Sequence, residues 1–207
     1  LSDGFAAERP RAVSLIDGGW LENARRGLVS DPRWDLQSFV DRLVPKHHWR
    51  FRSYYFDALP FKDRNNPTSH QLKRYGEKED ELRTIDRLER FTVRRGYCKQ
   101  TVVAGYLGGG GFQEKLTKVV TIEQKMVDVL LAVELTRIAW SKEALHIGLV
   151  GGDGDYVAAV RAARDAGAIV RLFHIKTATS AVAPELLAAV DERVDLALVE
   201  VGLGGRL

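Results

Sequence analysis

Short apolar runs alternate along this chain with stretches whose apolar residues recur at helical intervals. Val13-Ser14-Leu15-Ile16 is compact and apolar and stops at Asp17-Gly18-Gly19, the pattern of a buried strand closed by a turn. Helical spacing follows over residues 20–29 and again over 36–43, with Asp31-Pro32 breaking the two apart. Residues 49–56 alternate aromatic side chains with Arg50 and Arg52, which predicts a strand. Two prolines and Asn65-Asn66 make 57–69 a loop. Beyond it, Leu72, Leu82, Ile85 and Leu88 space an exposed, highly charged helix over 71–90, and Phe91-Thr92-Val93 opens a further strand.

Gly108 to Gly111 is a run of four glycines without the surroundings of a P-loop, and reads as a flexible hairpin or lid. Thr121-Ile122-Glu123-Gln124 has capping-box spacing, which predicts a helix from Thr121 to about Ala139. That helix is apolar around much of its surface and is therefore expected to be largely buried. A strand over 144–150 ends at Gly151-Gly152-Asp153-Gly154-Asp155. A helix over 156–166 follows, with Gly167 placed to terminate it, then a strand over 169–173, a helix over 184–190 and a strand over 194–199. Strands alternating with helices predict a parallel, doubly wound α/β sheet. No repeat or compositional break divides 11–207, which reads as one domain behind a short flexible lead-in, 1–10.

Composition narrows the classes. A chain of 207 residues with 45% hydrophobic content builds one ordinary core. No run approaches the ~18 apolar residues of a membrane span, and the lead-in lacks the apolar centre of a secretory signal. One cysteine, Cys98, excludes an internal disulfide framework and a Cys-rich zinc site, and points to a reducing cytoplasm. The net charge of +3 is unevenly spread: −2 over 1–41, +7 over 42–100 and −2 over 101–207. A local positive excess suits either a polyanion-binding face or a merely solubilising surface. The histidines (His47, His48, His70, His146 and His174) follow no ligand spacing.

In doubly wound sheets, ligands gather beyond the carboxyl ends of the strands at the point where strand order reverses. Two strands here end alike, one at Asp17 and one at Asp153 and Asp155. Carboxylates held close together repel unless a cation compensates them, and hard oxygen donors suit Mg²⁺ or Mn²⁺. Asp153 alone would serve equally as the N-cap of the following helix. Asp128 stands in the apolar run 126–133, where an aspartate has poor helix propensity and a high burial cost. Lys125 precedes it by three residues, on the same face of the predicted helix, and either pairs with Asp128 or serves a phosphate. Glu134 lies about 120° round that helix from Asp128, so the two do not face one ion.

Three segments carry a resemblance: Val13-Ser-Leu-Ile-Asp17-Gly-Gly-Trp-Leu21, Gln124-Lys-Met-Val-Asp128-Val-Leu-Leu-Ala-Val-Glu134, and Gly148-Leu-Val-Gly-Gly-Asp153-Gly-Asp155-Tyr-Val157. In that order they resemble the signatures of NYN domains, which are PIN-like, Rossmann-related and regarded as Mg²⁺-dependent RNA-cleaving nucleases. Tyr54 to Ala58 and Val93 to Gly96 are similar to the family's second and third strands, so the resemblance spans 11–199. It implies a PIN-like, Rossmannoid three-layer sandwich around a mainly parallel sheet. It also implies that the strands ending at Asp17 and Asp153 are neighbours, and that Asp17, Asp128, Asp153 and Asp155 bind metal. The chain departs from the family's pattern at Trp20, where asparagine is frequent, at Met126, where glycine is common, at Gly151, often Ser or Thr, and at Glu134, usually Asp.

The resemblance implies an endoribonuclease that hydrolyses phosphodiesters with Mg²⁺ or Mn²⁺, using one ion or two. Asp17, Asp153 and Asp155 would hold the ion, Asp128 would reach it directly or through water, and Lys125 would face the phosphate oxygens. Arg50, Arg52, Arg94, Arg95 and the helix over 71–90 would track the backbone of a single-stranded or structured RNA. Trp20 or Trp49 would stack a base, or else belong to the core. Single-stranded DNA and a homo-oligomer stay open. Two other classes compete: a non-catalytic RNA-binding scaffold, and a phosphohydrolase for small phosphoesters using Asp153-Gly-Asp155. The latter class carries its Asp-x-Asp on the first strand with a lysine downstream, which this chain does not.

Overall fold

Apolar residues on both faces of the strands build a sheet covered by helices on each side. The computed structural model describes residues 9–26, 35–106, 116–175 and 181–196. Its strands are β1 (Arg11–Asp17), β2 (Trp49–Leu59), β3 (Phe91–Tyr106), β4 (Leu116–Lys125), β5 (His146–Val150), β6 (Ile169–His174) and β7 (Glu192–Asp195). They form one sheet in the order β4-β3-β2-β1-β5-β6-β7, with every pair parallel except β3–β4. Strand order therefore reverses between β1 and β5, the switch point where such sheets bind ligands.

Helices α1 (Gly18–Arg26), α2 (Leu36–Leu43) and α3 (Ser69–Asp86) cover one face; α4 (Val127–Trp140), α5 (Val157–Asp165) and α6 (Pro184–Ala189) cover the other. Successive strand residues serve opposite cores. Leu15, Tyr54, Phe56, Leu149 and Leu172 pack under α4 to α6, while Ile16, Tyr55, Val150 and Phe173 pack under α1 to α3. This is the doubly wound α/β sheet that the alternating elements predict, in the three-layer, mainly parallel form that the resemblance implies.

Several local expectations give way. The helix predicted from Thr121 does not begin there: β4 continues to Lys125, with Thr121 opposite Thr101 and Lys125 opposite Tyr97. Residues 116–125 hold five β-branched side chains (Thr117, Val119, Val120, Thr121 and Ile122), and pairing along β3 outweighs a four-residue capping signature. The chain turns into α4 at Met126, whose φ of 76° is left-handed, the position where the resembled family commonly has glycine. A side chain there costs about 1–2 kcal/mol. Nor is α4 largely buried: Leu131, Leu135 and Ile138 face the sheet, but Val129, Val133 and Trp140 are exposed.

A genuine capping box opens α3. Thr68 Oγ1 accepts the Gln71 backbone N–H at 3.2 Å, and Gln71 Oε1 accepts that of Thr68 at 3.0 Å. The predicted loop is consequently shorter, since β2 runs on to Leu59. Gly167, at φ +89°, follows α5 as expected. The glycine run at 108–111, the end of the predicted first helix at 27–29, residues 197–199 of the last strand and most of the lead-in lie outside the described residues.

One irregularity governs β2. Its register with β1 pairs Ala12 with Arg50 and Val13 with Arg52, so Phe51 is skipped as a bulge. Arg50 and Arg52 therefore leave the strand on opposite sides instead of sharing one face.

Candidate metal centre

The carboxylates nominated above meet beyond the carboxyl ends of β1 and β5. Asp17 closes β1. Its Oδ1 accepts the Trp20 backbone N–H at 2.9 Å, and its Oδ2 accepts the Tyr156 hydroxyl at 2.9 Å. Gly18 is compelled by its neighbour, since a Cβ there would lie 2.6 Å from the Tyr55 ring. Asp153 follows β5 after Gly151 and Gly152, and its Oδ1 accepts the Asp155 N–H at 2.9 Å. Asp153 thus caps the single 3-10 turn Gly154–Tyr156 that leads into α5, and the cap engages one of its two oxygens. Asp128 sits in the first turn of α4, beside the positive end of the helix dipole.

Oxygen atoms of Asp128, Asp153 and Asp155 all lie within 4.8 Å of one another. Ligands on opposite sides of one Mg²⁺ are about 4.2 Å apart, twice the ~2.1 Å bond, so small rotamer adjustments suffice to share an ion. The donor set is all carboxylate, which fits a hard divalent cation. Asp17 stands just outside this trio yet lines the same cleft, of about 350 Å³, with Asp128, Asp153, Trp20, Asn23 and Gln124. Burial pushes the Asp17 carboxyl up to about 6, and nearby Asp128 and Asp57 add to this, while the N–H of Trp20 and the hydroxyl of Tyr156 oppose it.

Tyr156 is the residue that sequence reasoning missed. Its side chain is fully buried, and its hydroxyl lies 2.9 Å from Asp17 Oδ2 and 3.0 Å from Asp128 Oδ1. Burial and the two carboxylates push its pKa far upward, so it remains a donor. It joins the end of β1 to the start of α4. The available signal was a phenol directly after Asp155 on an otherwise apolar helix face.

Gly152 is fixed by close approach. A Cβ there would lie 2.3 Å from the Ala181 carbonyl oxygen and 2.5 Å from Trp20 Nε1. That indole N–H donates to the same carbonyl at 3.1 Å, so Trp20 lines the cleft and ties residue 181 to its rim. A larger cleft of about 480 Å³ adjoins the first, sharing Gly19, Asn23 and Gln124. Its Lys78 is surrounded by Asp57 at 2.7 Å, Glu81 at 3.0 Å and Glu22 at 3.8 Å, which offsets its charge.

Other nominated residues are placed elsewhere. Lys125 ends β4 and does not share a helix with Asp128; its Nζ lies 2.6 Å from Glu123. Glu134 turns away from the cleft to Arg94 at 3.3 Å and Arg137 at 2.6 Å, as its helical phase requires. Arg50 is committed to the core: it is 6% exposed, pairs with Asp41 at 2.7 Å and is unavailable to a phosphate. Arg52 is exposed at the amino end of β2, remote from the carboxylates. Arg94 lies over the Tyr54 ring at 5.5 Å, and Arg95 is exposed on β3.

The family model of the NYN domain matches residues 34–197, a span that holds Asp128, Asp153 and Asp155 and begins after Asp17. No curated protein matches the chain. With most of its length matched, its sheet reversing beside an aspartate cluster and its layers arranged as that resemblance implied, the chain belongs to the NYN domain family of nuclease-type folds.

Proposed function

We propose that this protein is a divalent-metal-dependent ribonuclease whose cleavage centre is the aspartate cleft at the β1/β5 switch point. One observation carries the reading: Asp128, Asp153 and Asp155 converge within 4.8 Å at that point in an NYN domain. These carboxylates would hold Mg²⁺ or Mn²⁺. When bound, such a cation offsets phosphodiester charge and acidifies the attacking water. Asp17, whose ionisation is suppressed by burial, becomes fully ionised beside a cation and extends the negative cradle. Tyr156 holds Asp17 and Asp128 in fixed rotamers, so the cradle is oriented before substrate arrives. Trp20, on the cleft wall, offers a surface on which a base beside the scissile phosphate can stack.

End-labelled single-stranded RNA incubated with Mn²⁺ provides the test. Cleavage should be abolished by EDTA and restored by excess Mn²⁺. Asp128→Asn and Asp153→Asn should each lower it by roughly a hundredfold or more. RNA left intact by wild-type protein that hydrolyses p-nitrophenyl phosphate would replace this reading with a small-molecule phosphohydrolase.

A further inference from the structure

The end of the sheet opposite the carboxylates has the reverse character. Trp49 and Phe51, half-buried at the amino end of β2, meet edge to face with ring centroids 5.4 Å apart. Three exposed arginines lie on these rings. Arg11 is 4.8 Å from the Phe51 centroid, Arg52 is 6.0 Å from the same centroid, and Arg90 is 5.1 Å from that of Trp49. The bulge at Phe51 creates the platform by turning Arg52 away from the side that Arg50 occupies.

Charge compensation here is sparse. Arg90 has exposed Glu89 at 3.6 Å, and Arg52 donates to the Thr92 hydroxyl at 3.3 Å. Among the described residues, neither Arg11 nor Arg52 has a carboxylate within ion-pair distance. Like charges gathered without anions repel, and a polyanion relieves them. Stacking holds each guanidinium by its face; Arg90 gives one N–H to the Arg50 carbonyl at 3.1 Å, and the N–H groups not engaged by that carbonyl or by Thr92 remain to grip phosphate. Aromatic rings between the cations supply the flat surfaces on which unpaired bases stack.

We infer that this patch is a second RNA-binding site, an anchor for single-stranded substrate remote from the cleavage centre. The inference rests on the ribonuclease reading for the identity of the polyanion. Arg11 and Asp17 are the two ends of β1, roughly 20 Å apart at ~3.3 Å per residue. A strand touching both must therefore extend about six stacked nucleotides, at ~3.4 Å each. An acidic cleft repels RNA, so affinity comes from a basic surface elsewhere on the molecule.

The experiment uses the intact chain and a 5′-fluorescein 20-nucleotide RNA, with binding read by anisotropy in EDTA across a salt series. Arg11→Glu/Arg52→Glu should weaken binding at least tenfold. It should also flatten the slope of log affinity against log salt by about 1.4, at ~0.7 for each phosphate no longer neutralised. Mn²⁺ binding by calorimetry should match wild type. The milder pair Arg11→Gln/Arg52→Gln should move affinity and slope the same way. Affinity and slope unchanged in both variants overturn the anchor, as does binding lost together with Mn²⁺ affinity in both. Wild-type protein that binds the RNA through this patch but does not cut it refutes the ribonuclease reading and leaves the anchor standing.

Discussion

Asp17→Asn is expected to stabilise the protein at neutral pH in the absence of metal. Burial displaces the Asp17 pKa from 3.8 to about 6, against the opposing pull of the Trp20 N–H and the Tyr156 hydroxyl. Each pKa unit corresponds to ~1.36 kcal/mol, so the ionised carboxylate costs the fold roughly 3 kcal/mol at pH 7. The direction follows from proton counting. Between pH 3.8 and about 6 the folded chain retains a proton that the unfolded chain releases, so stability falls as pH rises through that window. Asparagine keeps the size and the acceptor for the Trp20 N–H, and its amide meets the Tyr156 oxygen. The expected gain at pH 7 is about 1–3 kcal/mol, shrinking toward zero near pH 4. Urea denaturation in EDTA at pH 7 and pH 4.5 measures it. Equal or lower stability of the variant at pH 7, or a gain that persists undiminished at pH 4.5, would refute the reasoning. The same variant should bind Mn²⁺ more weakly, so the buried charge trades stability for the cleft's affinity.

Tyr156→Phe keeps the buried ring and removes the hydroxyl shared by Asp17 and Asp128; calorimetry should show Mn²⁺ affinity reduced about tenfold, with the fold intact. Gly152→Ala forces a Cβ against the Ala181 carbonyl and the Trp20 indole and should cost about 1–3 kcal/mol, visible in thermal melts and in a shifted tryptophan emission. Arg50→Ala should destabilise by about 1–3 kcal/mol, because it empties a buried ion-paired position. Arg52→Ala should stay within ~0.5 kcal/mol, and equal losses from the two arginines would contradict their placement on opposite sides of the sheet.

The layered fold was legible because its strands are apolar on both faces and its helices carry periodic stripes, signals that need no long-range information. Two segments show where local reading stops. Thr68-Ser-His-Gln71 and Thr121-Ile-Glu-Gln124 share one capping signature, yet the first starts α3 and the second lies inside β4. The difference is a partner strand nearly a hairpin away, with Thr121 paired to Thr101. Arg50 and Arg52 looked equivalent by alternation, and one bulged residue separated them. At the cleft, Asp153 and Asp155 were readable from an apolar strand ending in glycine and aspartate. Asp17, readable on the same grounds, lines the cleft but stands outside the tight trio, whereas Asp128, nominated on resemblance and burial cost, belongs to it. Tyr156 escaped notice because its role depends on two carboxylates distant in the chain.

The distance in sequence between those carboxylates also has a consequence in time. The cradle draws on Asp17, Asp128, Asp153 and Asp155, and it takes shape only when β5 inserts beside β1. During synthesis, which proceeds from the N-terminus, the ribosome must have released the chain past Tyr156 before the complete cleft can assemble. A nascent chain that stops short of Asp153 consequently lacks two of the three carboxylates proposed to hold a cation.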